Sequence, residues 1–478
     1  MSRLAAVRAY PRAVLVLLAL LWLAGSLRAF ALWSHDPLYA YANSYDQVRY
    51  TNCFHFYPDR PPAIPPEENS PNAPFAKYRF ISNPNPMCYW SSELLFTGGT
   101  ALAWKLGEFA GGDVVHDVRW VGALRWFALL ALSIGFSLAW LRRGDTRAAI
   151  ANAALVPLLF ADPGNALYLD TFYAEWSALL GAYALIALSL LWRDEVASRR
   201  RVGALALVAC ALALAKIQHL LLPLCLALVV MLLERLRQRR FGWRGGALAL
   251  GALAGLAVQA VQLGRDNGMM DSIHQYNRAD VVFTALLPFA DDRAALLGEL
   301  GIDPACAAYS GLHAWELPDL PERVCSGLEG FTRGKELTAL LRHPGMALRL
   351  AWHGVLGLDP WIAKNLGEIE GASVATIPAS VPGIGPLLHA YPVAQLAILG
   401  LPLLALFFFL LWTGVRRGSR GLDYAALSVA LMCATLAITV LGDGLADTAK
   451  QGHLVVNAAL GWLIVGVFMA PRLRPPSA

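Results

Sequence analysis

The sequence predicts an all-α polytopic membrane protein: about ten transmembrane helices, with two long extracytoplasmic loops containing short interfacial helices. Three observations carry this. The 478 residues are 57% hydrophobic and only 15% charged, with mean hydropathy +0.48, whereas soluble domains average roughly 45–50% apolar and about 25% charged. Apolar runs recur that are long enough for the roughly 20 helical residues needed to cross a hydrocarbon core of about 30 Å. Arginine clusters fall at every second boundary between these runs. No soluble domain of ordinary size is attached, so residues 1–478 read as a single integral membrane domain.

The clearest spans are 13–33, 119–141, 172–192, 243–264, 392–414, 423–441 and 452–470. The run 148–161 is shorter and ends at "ADPGNALYLD", where Asp-Pro-Gly should stop a helix. The stretch 202–233 is too long for one span and is basic at both ends, so it should cross, turn at Lys216–His219 and cross back. The basic segments around Arg3, Arg8 and Arg12 and in "RRGDTR", "RDEVASRRR", "ERLRQRR", "RRGSR" and "PRLRP" then share one side. The positive-inside rule makes that side cytoplasmic, with both termini there. The first run continues through "WLAGSLRAFALW" without a convincing signal-peptide cleavage site, so it is expected to stay as a span. The net charge of +5 reports this orientation and gives no sign of a nucleic-acid partner.

The segments 34–118 and 265–391 therefore face outward as the first and second extracytoplasmic loops, the outer side of an inner (cytoplasmic) membrane. The first continues through "YPDRPPAIPPEENSPNAP", too rich in proline for a helix. The second is helix-compatible over 291–301 and 333–356, and "RHPGMALRLAWHGVLGL" sets Arg342 and Arg349 beside an apolar face, as an interfacial helix would. Of seven cysteines, Cys53, Cys88, Cys306 and Cys325 lie in these segments and Cys210, Cys225 and Cys433 in apolar runs. Four cysteines on an oxidising side suit two disulfides, with Cys53–Cys88 and Cys306–Cys325 the local pairing among three possible.

Ionisable residues gather at the outer ends of the spans, where they are costly unless paired or wet and so count as functional candidates. In "LGDGLADTAKQGHLVVN", Asp443, Asp447, Lys450, His453 and Asn457 are spaced so that one helix would place them on one arc. Asp170 and Glu175 open the fourth span, and Lys216, Gln218 and His219 occupy the tight turn. In "YANSYDQVRY", Asp46 and Arg49 follow the first span, and Asp36 sits closer to its end in "WSHDPLY". The histidines are scattered without metal-ligand spacing, so no metal site is expected. Neither a Gly-x-Ser-x-Gly elbow nor a phosphate-cradling P-loop is present.

The first-loop aspartate in "SYDQVRY", the "LYLDTFYAEWSALL" connection, the "ALAKIQHLLLP" turn and the late "LGDGLADTAKQGHLVVN" segment together resemble the polytopic glycosyltransferases of the GT-C superfamily, of the bacterial envelope type. Gln47 stands where the protein mannosyltransferase branch carries a second acid, so no cofactor is required and a divalent metal, though possible, has no support. The resemblance implies inverting transfer of a hexose or pentose from a polyprenyl-phosphate carrier to a glycan, lipid or protein acceptor, on the periplasmic or exterior side of the bilayer. Asp46, or alternatively Asp36, would be the general base. Arg49, Lys216, His219, Lys450 and His453 would hold the donor phosphate, and Asp170, Glu175, Gln218, Asp443 and Asp447 would bind substrate. The competing class is a multi-pass transporter or lipid-linked-sugar flippase, which would place polar residues near the midplane in paired broken helices.

Overall fold

The computed structural model describes residues 11–39, 44–59, 76–81, 88–239, 241–265, 269–359, 381–412 and 419–469, with the side chains of residues 44–46, 269 and 412 excepted. Most of the proline-rich loop expected at 57–74 lies outside these residues.

A helix stands at each of the ten predicted crossings. They are Arg12–Trp33, Arg119–Arg142, Thr146–Phe160, Glu175–Leu191, Arg199–Ala213, Leu222–Gln238, Trp243–Leu263, Pro392–Trp412, Arg420–Asp443 and His453–Met469. Six described helices are long and apolar enough to cross a membrane, with Ile217–Gln238 counted as one, and Thr146–Phe160 joined to Pro163–Asp170 through a 76° bend makes a seventh. Glu175–Leu191 and His453–Met469 are apolar but shorter. Arg199–Ala213, at 15 residues, is shorter still. The protein is an all-α polytopic membrane protein.

Local chemistry sets the ends. The bend after Phe160 falls at Asp162–Pro163, as Asp-Pro-Gly requires, and the Asp162 carboxylate caps the next turn by accepting Gly164 N at 3.2 Å. It also accepts Ile384 N and Gly385 N, which ties the second outer segment to this bend. Between Arg199–Ala213 and Trp243–Leu263 the backbones approach so closely that a Cβ on Gly251 would run into Ala206 O. Small residues at four-residue spacing, here Gly251 and Gly255, permit such contact in a bilayer.

The outer segments have cores of their own. In the first, β1 (Phe56–Pro58), β2 (Lys77–Phe80) and β3 (His116–Asp117) form a small antiparallel sheet in that order. Phe56 and Tyr78 pack there with Trp104 and Phe172. Trp104 comes from a helix at Leu94–Phe109 that the sequence reading did not anticipate. The second segment has the expected helices at Arg293–Leu300 and, divided by His343, at Arg333–Arg342 and Pro344–Leu356. Exposed Leu348, Trp352 and Leu356 give the last of these the apolar face of an interfacial helix. Disulfides join Cys53 to Cys88 and Cys306 to Cys325.

One buried ion pair positions the site. Arg125 and Glu93 are fully buried and meet at 2.6 Å. Arg125 also donates to the carbonyls of Tyr168, Thr171 and Tyr173, and Glu93 accepts from Ser177 at 2.6 Å and Thr97 at 3.3 Å. This guanidinium holds the irregular backbone between Asp170 and Glu175, where no helix satisfies the carbonyls.

Candidate functional site

The turn between the Arg199–Ala213 and Leu222–Gln238 helices delivers Lys216 from an extended backbone, just before a single 3₁₀ turn at Ile217–His219. Its Nζ donates to Glu175 Oε1 at 2.9 Å, and both side chains are buried. An unpaired charge would be costly there, so each group stabilises the other.

The late segment is not the single helical arc predicted. The Arg420–Asp443 helix ends at Gly444, whose φ of +66° leaves the right-handed region. A Cβ there would strike Asp280 O and Thr284 Oγ1, so the break and the second outer segment are packed together. Leu445 N donates to Thr284 Oγ1 at 2.8 Å, and a short Thr448–Gln451 helix precedes His453–Met469. The break still returns Lys450 toward the other lysine. Lys450 pairs with Asp447, and its Nζ stands 5.1 Å from the centre of the Tyr173 ring. His453 sets one ring nitrogen 3.0 Å from Lys450 O and the other 3.2 Å from Glu175 O. Lys216, Lys450 and His453 thus all act electrostatically on Glu175. His219 meets the His453 ring edge-on at 6.3 Å, with its Nδ1 unpartnered.

Carboxylates close the other side. Asp443 accepts from Gln451 Nε2 and, at 2.8 Å, from the amide of Asn277 on the Met269–Asp280 helix. Asp280, at that helix's end, accepts Ala314 N at 2.8 Å. Gln451, Asn277, Asp280 and Tyr173 were not anticipated from sequence. Only Gln451, adjacent to Lys450, and the three-residue spacing of Asn277 and Asp280 offered a signal.

Burial, with Asp443 and Asp447 adding repulsion, pushes the Asp280 carboxyl up to about 8. The folded state then keeps a proton that the unfolded chain releases near pH 4. The stability this contributes is complete below about pH 4 and is lost as pH rises through about 8. Asp280→Asn keeps an acceptor for Ala314, so it should differ little from wild type near pH 4 and be more stable by several kcal/mol at pH 9. Melting midpoints in detergent across that range check this, and parallel curves would refute it.

The other predicted residues are placed apart or around the rim. Asp170 is buried among Arg119, Asp117 and Arg125 with neither oxygen hydrogen-bonded, so it does not join the lysines as the sequence reading grouped it. The 3₁₀ turn Leu167–Asp170 directs it to the other side of the segment. Asn457 also turns away, exchanging hydrogen bonds with Asn165 at 2.6 and 3.0 Å. Gln218 has a buried Oε1 without a partner. Asp36 is at the surface, 86% exposed and 3.3 Å from Arg119. Asp46 lies on a helix, Ser44–Thr51, but its side chain is outside the described residues. Arg49, on the same helix, accepts Tyr89 N through its carbonyl at 2.8 Å. Gln47 Oε1 accepts Phe172 N at 2.8 Å, and Tyr50 packs with Tyr89, Ala174 and Ile217. The helix is thereby docked beside Glu175 and Lys216. Among the described residues no group of three or more His, Cys, Asp or Glu side chains could hold a metal ion.

Beneath the cluster, an apolar groove of about 1070 Å³ follows the His453–Met469 helix between Thr146–Phe160, Glu175–Leu191, Pro392–Trp412 and Arg420–Asp443. It reaches Leu454 and Asn457 at one end and Asp145 and Arg420 at the other.

The family model for the YfdI N-terminal transmembrane domain matches residues 75–347, more than half of the chain. The chain belongs to this family. No curated protein and no solved structure matches it. The region shared with the YfdI N-terminal transmembrane domain contains Glu93, Arg125, Asp170, Glu175, Lys216, His219 and Asp280. Asp443, Asp447, Lys450 and His453 lie beyond it, so the polar cluster joins the YfdI-type region to the C-terminal helices.

Proposed function

We propose that the protein is a membrane glycosyltransferase that moves a sugar from a polyprenyl-phosphate carrier to an envelope glycan, lipid or protein acceptor on the extracytoplasmic side. The observation that carries this reading is the convergence of buried Lys216, Lys450 and His453 one helical turn above the Asn457 end of an apolar groove. An isoprenoid tail would suit this apolar lining, and a phosphate one turn beyond Asn457 would meet the two lysines. Cations aimed at a departing phosphate stabilise charge that grows as the glycosidic bond breaks. A general base must take the acceptor's proton as its oxygen attacks the anomeric carbon, and Asp46 is assigned this role.

The test is transfer by purified protein from a synthetic polyprenyl-phosphate sugar, measured at limiting donor. Lys450→Ala and Lys216→Ala should each lose transition-state stabilisation of about 2.7–4 kcal/mol, the usual cost of removing one such donor. Full rates in both variants would make the lysines structural. The groove's extent from Arg420 to Asn457 favours a lipid-linked-sugar flippase as the second reading. Movement of the carrier across vesicles without any glycosylated product would select it.

A further inference from the structure

The far end of the groove has chemistry that the sugar-transfer reading does not use. There the apolar walls, including Leu404, Phe408 and Trp462, give way to Trp140, Asp145 and Arg420. Leu404 and Phe408 are exposed on the bundle surface, so this part opens sideways to lipid. We propose that this mouth binds a zwitterionic phospholipid with a primary ammonium headgroup, of the phosphatidylethanolamine type, with an acyl chain in the groove.

The charges fit such a headgroup. Arg420 approaches Asp145 at 3.5 Å and Asp194 at 3.4 Å, distances at the outer limit of hydrogen bonding, and its guanidinium lies 5.2 Å from the centre of the Trp140 ring. Its Nε is buried without a hydrogen-bond partner. A guanidinium offers a fork of donors matched to phosphate geometry, so a lipid phosphate here would take up the terminal N–H groups that reach Asp145 and Asp194 only at these long distances. Asp145 spends Oδ1 on the backbone N of Ala148, capping the next helix, and turns Oδ2 to Arg420 beside the groove. An ammonium next to the phosphate would donate to Asp145 and Asp194. A purely anionic headgroup would offer Asp145 no donor, and a quaternary ammonium has no N–H to donate. The groove's volume lies just above the roughly 300–1,000 Å³ range of small-molecule sites, which suits a long chain.

None of these residues belongs to the lysine cluster, and the readout is lipid retention, so failure of sugar transfer leaves the proposal standing. The full-length protein, stripped of lipid in detergent, is titrated with phosphatidylethanolamine, phosphatidylglycerol or phosphatidylcholine of matched chains and examined by native mass spectrometry. Phosphatidylethanolamine should be retained preferentially, with affinity falling on the order of tenfold in Arg420→Ala. Asp145→Asn keeps the helix cap and should erase the preference over phosphatidylcholine. Should Arg420→Ala fail to fold, Leu404→Trp fills the groove, leaves the charges in place and should also reduce retention. Equal retention of all three lipids by the wild type, or undiminished retention by folded Arg420→Ala or by Leu404→Trp, would overturn the proposal.

Discussion

Replacing Asp46 by Asn should leave the protein folded and inserted while reducing sugar transfer by roughly 10²–10⁴-fold, the range attributed to a positioned general base. Asn preserves shape and polarity but cannot take up the acceptor's proton. The location of its helix supports the choice: Gln47 bonds to Phe172 N, and Tyr50 packs with Ala174 and Ile217, the immediate neighbours of Glu175 and Lys216. Asp36→Asn is the matched control. Its carboxylate is almost fully exposed, and an exposed pair such as Asp36–Arg119 contributes about 0–1 kcal/mol. That variant should remain largely active at equal expression. Full activity in both would remove the central residue of the glycosyltransferase reading, and the reverse order would move the role to Asp36.

The second large effect concerns folding. Arg125→Ala should destabilise the protein by about 3–5 kcal/mol, the cost of breaking a buried pair by removing one partner. Glu93 would be left buried with only hydroxyl donors, and the carbonyls of Tyr168, Thr171 and Tyr173 would lose their shared donor. Arg125→Lys keeps the charge but cannot serve four acceptors, so it should recover only part of the loss. The melting midpoint in detergent reports both, and a wild-type midpoint in Arg125→Ala would show that the clamp is not needed.

Legibility in the sequence followed the physics of each element. Spans were readable because lipid exposure demands continuous apolar runs, and the turn at Lys216–His219 followed from length and charge alone. The Leu94–Phe109 helix was missed because its run carries two adjacent glycines, a lysine and a glutamate, and its apolar residues are divided between the exposed surface and the small sheet. Glu93 carried no signal in the sequence, since its partner Arg125 is 32 residues away and inside a span. The arc from Asp443 to Asn457 was over-read. "GDG" already signals a turn, and the positive φ at Gly444 depends on packing against Asp280 and Thr284, far away in sequence. Asp170 and Glu175 are five residues apart, yet an intervening non-helical backbone sends them to different neighbours.

The pairing of Asn165 with Asn457 bears on how the molecule is made. The two amides are 292 positions apart, and the same late helix supplies His453 to the carbonyl of Glu175. During synthesis the earlier helices enter the bilayer long before these partners exist. A half-built chain therefore holds a polar seam within its membrane region, closed only when the His453–Met469 helix arrives. Insertion of that helix closes the wall of the apolar groove and the polar cluster together, so both depend on one late step of synthesis.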